Sequence, residues 1–175
     1  LEANQGARMA NGMFSGLFFV YIGVALLVIF ILVFRAPLMA RRVRKKIFSE
    51  TWYEANEFYD NWPKSDLRAN DCLGVFMLLS FDHPVTDGDY SKYKDVYVGK
   101  AAKAWKGAYA QLCNRGNRQI YKDFKNPKKY VYIQARFYHI EDIDKMERTL
   151  IGSLKADKSY NKEEIEAKKR EEEGR

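Results

Sequence analysis

Three groups of residues carry side chains able to do chemistry. The run Asp82-His83-Pro84-Val85-Thr86-Asp87-Gly88-Asp89 sets three carboxylates beside an imidazole, the composition of a cation site. His139 stands next to Glu141, Asp142 and Asp144, a second set of possible ligands. Cys72 and Cys113 are the only thiols of the 175-residue chain.

None of the three holds up as a reactive centre. A calcium loop of the EF-hand type needs glycine at its sixth position and glutamate at its twelfth. Counted from Asp82, those positions are Asp87 and Tyr93, so the segment reads as a turn-forming loop. On a helix, residues two apart point about 200° apart, so His139 and Glu141 cannot share a metal. Two unspaced cysteines are neither a disulfide framework nor a zinc motif. The chain has no nucleophile elbow, no phosphate-binding loop and no dinucleotide fingerprint. The expectation is a protein that is not an enzyme and holds no metal or cofactor.

The elements around these residues say more. The composition is 47% hydrophobic, yet the mean hydropathy is −0.47, so the apolar residues are concentrated. Met13 to Phe34 carries no charge, and at 1.5 Å per residue its 22 residues reach about 33 Å, enough for a bilayer core of about 30 Å. This predicts one transmembrane helix over residues 13–34. Gly12, Gly16 and Gly23 fall near one stripe of it and mark a helix-packing face. Arg35-Ala36-Pro37 follows as a kink, and Arg41, Arg42, Arg44, Lys45 and Lys46 form a basic collar suited to anionic headgroups such as cardiolipin. By the positive-inside rule the residues after the collar face the matrix or cytoplasmic side.

Beyond the collar the spacing predicts helices. Residues 47–62 place Phe48, Trp52, Ala55 and Tyr59 on one face, and Pro63 ends that helix. Ser65 or Asp71 caps a second helix through Leu73–Phe81. Tyr93, Tyr97, Ala101, Ala104, Ala108 and Leu112 form the stripe of an amphipathic helix over Ser91–Asn114, which Asn114-Arg115-Gly116-Asn117 stops. Tyr130–Ile140 suits a strand by composition. The series Tyr130, Ile133, Phe137, Ile140, Ile143, Met146, Leu150 and Leu154 fits one long helix, and helix is favoured because no second strand signal stands beside it. The fold expected is mainly α. It has a short N-terminal segment (1–12), the membrane helix (13–34), the collar (35–46), an aromatic-rich helical extramembrane region (47–154) and a charged tail (155–175).

Charge is blocked rather than diffuse. Residues 35–46 carry +6, residues 47–91 carry −7 and residues 92–129 carry +9, within a total of +7. The acidic block is one candidate to face the basic one. A charged tail with almost no apolar anchor finds its order most simply against neighbouring subunits. These features favour a non-catalytic, single-span accessory subunit of a multisubunit membrane complex, a mitochondrial respiratory complex of the inner membrane foremost. A leucine at the first position fits removal of a targeting segment. Its partners would be other subunits and cardiolipin, with no small-molecule substrate. Nucleic acid is the less favoured partner: the alternative is a membrane tether that binds RNA or a ribosome through basic residues 92–129, whose cations alternate with Tyr93, Tyr97, Trp105, Tyr109, Tyr121 and Phe124. A stalk subunit of a rotary ATP synthase is a third reading, against which Pro37, Pro63, Pro84 and Pro127 interrupt any long helix.

Overall fold

The computed structural model describes the backbone of residues 2–174 and the side-chain surroundings of residues 21–31, 35 and 37–174. The chain divides into two compact units, Leu1–Arg41 and Arg42–Arg175.

Helix α1 (Glu2–Phe48) runs through the first unit, and its last residues, 42–48, belong to the second. It continues past Pro37, so the proline does not end it. Among the described residues no helix is long and apolar enough to cross a membrane, which overturns the single-pass transmembrane helix expected over 13–34. Of that run, Tyr21–Ile31 have described side chains, all of them exposed. The rest of the expected span lies outside the residues whose side chains are described. So do Gly12 and Gly16, while Gly23 has open space around it.

The second unit is built on a four-stranded antiparallel sheet, which corrects the mainly helical fold. Strands β1 (Tyr53–Glu54), β2 (Gly74–Phe81), β3 (Asp95–Ala101) and β4 (Tyr130–Phe137) lie in the order β1-β4-β2-β3. Strand β2 is buried along its whole length. A strand covered on both faces reads as an unbroken apolar run and shows no alternation, so Leu73–Phe81 resembles a buried helix in one dimension. The stripe assigned to one helix over Ser91–Asn114 is divided between β3 and α4 (Ala104–Leu112). Tyr97, Ala104, Ala108 and Leu112 are buried as foreseen, but from two elements. The series from Tyr130 to Leu154 likewise splits into β4 and α6 (Ile143–Leu154). The partners of β4 are β2 and β1, both far away in sequence.

One face of the sheet packs Phe76, Leu78, Tyr97 and Ile133 against α2 (Ala55–Asn61), α4 and α5 (Arg118–Lys125). The other packs Val75, Met77, Leu79, Val96 and Val98 against Ile47, Trp52 and α6. The helix expected over 47–62 is in fact the end of α1, β1, α2 and a 3-10 turn at Trp62–Lys64. The charged tail is anchored within the chain. Asn161 donates to the Val98 carbonyl at 2.7 Å and accepts from the Val98 N–H at 2.8 Å, covering the outer edge of β3. Helix α7 (Lys162–Glu173) follows from that clamp.

Candidate functional site: a basic cleft beside α4

The structure sorts the eleven cations of residues 92–129 into two groups. Lys92 pairs with Asp87 and Asp89, Lys94 and Lys129 with Asp82, and Lys100 with Asp144 and Glu147. The acidic block therefore does face part of the basic one. Lys103, Lys106, Arg115, Arg118, Lys122, Lys125 and Lys128 form no ion pair among the described residues.

Three of these unpaired cations, Lys103, Lys106 and Arg115, line one cleft together with Arg68. The cavity measures about 360 Å³, and Trp62, Pro63, Tyr109 and Cys113 supply its apolar wall. Short elements hold it. Ser65 caps α3 (Asp66–Ala69) by accepting from the Leu67 N–H at 3.1 Å, as expected for a serine after a turn. Arg68 donates to the Pro63 carbonyl at 3.5 Å. Asp71, the alternative cap for a helix that proves to be β2, instead caps α4 across space. Its two carboxylate oxygens accept from the N–H groups of Trp105 and Lys106 at 2.9 Å each. The one acid in the cleft is thus engaged by backbone, and four cations remain for a ligand.

The aromatic residues form a ladder beside the cleft. Trp62 stacks on Tyr109 with centroids 5.6 Å apart, Tyr109 on Tyr59 at 5.3 Å, and the Lys125 ammonium lies 5.1 Å from the Tyr59 ring. Burial holds the Tyr109 phenol above its ordinary pKa, with the Cys113 thiol contributing next. At the end of α4, Asn114 takes a left-handed backbone (φ 58°) that turns the chain and brings Arg115 to the cleft. The stop foreseen at residues 114–117 is therefore a positioning device as well.

The other candidates are occupied or scattered. In the 82–89 loop, Asp87 accepts from the Asp89 N–H, and Asp89 accepts from the Ser91 N–H. Lys129 first and Lys94 next hold the Asp82 carboxyl below its usual range. No group of three His, Cys, Asp or Glu side chains is placed to hold a metal among the described residues. Cys72 is exposed and lies outside the cleft that Cys113 lines. Arg41, Arg42, Lys45 and Lys46 are exposed along the end of α1 and Arg44 is half-buried. Lys45 and Lys46 fall in the last helical turn, where the helix dipole favours cations.

A second cluster lies at the edge formed by β3, α6 and α7. Tyr97 donates to Glu164 at 3.3 Å, and Lys100 reaches Glu147 at 2.9 Å. Burial raises the Glu164 pKa, and Lys100 holds Asp144 below its usual range. Reading the sequence alone missed the contributions of Trp62, Arg68 and Asp71. An aromatic before a proline and one of only two cations in an acidic stretch were the only signals they gave.

No protein-family model matches this chain, and neither the curated proteins nor the solved structures contain a match.

Proposed function

We propose that this chain is a non-catalytic binding protein that engages nucleic acid, single-stranded RNA foremost, through the basic face formed within residues 92–129. One observation carries the reading: three of the seven cations left without acidic partners, Lys103, Lys106 and Arg115, converge with Arg68 on a cleft walled by aromatic residues. Phosphate contacts supply most of the affinity for nucleic acid, and apolar and aromatic surface accommodates bases without demanding a sequence. The acids that neutralise Lys92, Lys94, Lys100 and Lys129 leave the other seven cations of residues 92–129 uncompensated among the described residues.

Salt dependence tests it. Anisotropy titrations of a labelled oligouridylate should show affinity falling as a power of salt concentration. Each phosphate neutralised on a single strand contributes a slope of about −0.7, so one phosphate in the cleft and three along the remaining unpaired cations of residues 92–129 give about −3. Replacing Lys103, Lys106 and Arg115 by alanine removes the cleft phosphate and should bring the slope to about −2. Absence of binding at low salt would remove the proposal.

A second reading, an accessory subunit of a multisubunit complex, is favoured by a different observation. Every residue from Tyr21 to Ile31 is exposed, and nine of these eleven are Tyr, Ile, Val, Leu or Phe. A continuous apolar surface of that kind marks an interaction site. A mitochondrial respiratory complex is the assembly the charge pattern favours. A native gel followed by mass spectrometry tests it: migration of the chain alone would rule it out.

A further inference from the structure

The cleft beside α4 has properties that say which phosphate it takes. Arg68, Lys103, Lys106 and Arg115 line it with one carboxylate, Asp71, so its lining carries three positive charges in excess. An internal phosphodiester brings one negative charge, whereas a phosphate monoester brings about −1.5 to −2 near neutral pH and three acceptor oxygens. The monoester offsets more of the lining charge, and it presents enough oxygens for two guanidinium forks and two ammonium groups at once. Size points the same way. A cavity of about 360 Å³ lies near the lower end of the range for small-ligand sites, about 300–1,000 Å³, so it has room for one nucleotide and not for a run of them.

We infer that the cleft binds a phosphate monoester attached to a flat organic group, either a free mononucleotide or the phosphorylated end of a nucleic acid strand. The phosphate sits among Arg68, Lys103, Lys106 and Arg115, and the attached group lies against Pro63 and the rim of Tyr109. This rests on the nucleic-acid reading for the site itself and adds the chemical form of the ligand.

Cys113 provides the readout, since it lines the cleft and is partly accessible, and the exposed Cys72 is an internal reference. The rate of alkylation at each thiol of the full chain is measured by mass spectrometry. The additions are uridine, uridine monophosphate, and an oligouridylate with either a 5′-phosphate or a 5′-hydroxyl. At about ten times Kd roughly one tenth of sites are free, so a ligand in the cleft slows Cys113 alkylation about tenfold while Cys72 is unchanged. We expect that result for the monophosphate and not for uridine, and its loss in Lys103→Gln/Lys106→Gln. Protection by the 5′-phosphorylated strand as well supports a chain end as the source. Protection by the monophosphate alone supports a free nucleotide. Equal protection by both strands would overturn the monoester inference while leaving RNA binding intact. Protection by none of them would overturn it also, and the salt titration then decides separately whether RNA binds elsewhere on the basic face.

Discussion

Asp71 and Trp105 are 34 residues apart, yet the Asp71 carboxylate accepts from the Trp105 backbone N–H at 2.9 Å and from the neighbouring Lys106 N–H at 2.9 Å. The start of α4 is therefore satisfied by a residue that lies before β2. The contact fixes the first turn of α4, from which Lys106 reaches the cleft, against the segment that carries Arg68.

Removing that cap should be costly. Asp71→Ala leaves two backbone donors without their partner and should destabilise the fold by about 2 kcal/mol, the upper range for a capping residue. Asp71→Asn keeps one acceptor oxygen and should lose about half as much. Chemical denaturation of both variants checks the order.

Gly74 begins β2 opposite Phe137, and a Cβ built on it would stand 2.2 Å from the Arg136 carbonyl oxygen. That atom belongs to the backbone and cannot rotate away. Gly74→Ala should destabilise by more than the ~1–3 kcal/mol of ordinary overpacking. A variant that melts with the parent would show that the two strands sit further apart than this.

The Asn161 clamp on β3 uses a donor and an acceptor at once. Asn161→Asp retains the acceptor for the Val98 N–H but sets a carboxylate against the Val98 carbonyl, so it should be worse than a simple loss. Asn161→Ala should cost about 1–3 kcal/mol through an unsatisfied buried backbone group. Hydrogen exchange should show the Val98 amide losing protection in Asn161→Ala and keeping more of it in Asn161→Asp.

Glu164 gives a pH dependence of defined sign. Burial raises its pKa in the folded chain, so the folded state holds this proton more tightly than the unfolded one. Its favourable contribution is present below the ordinary carboxylate range and is lost as pH rises through the raised value. Glu164→Gln keeps an acceptor for the Tyr97 hydroxyl and removes the ionisation. Its melting temperature should exceed the parent's at about pH 7 and converge with it near about pH 3. A gap that stays constant across that range would show that the carboxyl does not titrate against folding.

Local chemistry was legible along the chain. Ser65 caps a helix, though the four-residue α3 rather than the one expected through Leu73–Phe81, the 82–89 segment is a turn, and the chain breaks at Asn114–Asn117 and at Pro127 as their side chains dictate. The strands were not. Tyr97 and Ala101 continue a helical stripe that Ala104, Ala108 and Leu112 carry on, and nothing within that segment reveals that the first two face a sheet. Phe76 opposes Gly99 on one side and Ala135 on the other, pairings that span 23 and 59 residues.

By itself the amino-acid sequence determined the charge blocks, the turns, the caps and the absence of recognisable catalytic motifs, because those depend on residues within a few positions of one another. Only the tertiary structure decided which cations remain unpaired and that Arg68, Lys103, Lys106 and Arg115 share one cleft. Among the described residues it shows no helix long and apolar enough to cross a membrane. The physical reason is pairing at a distance: a strand exists through hydrogen bonds to another strand, and a charge is free only when no distant acid folds back onto it.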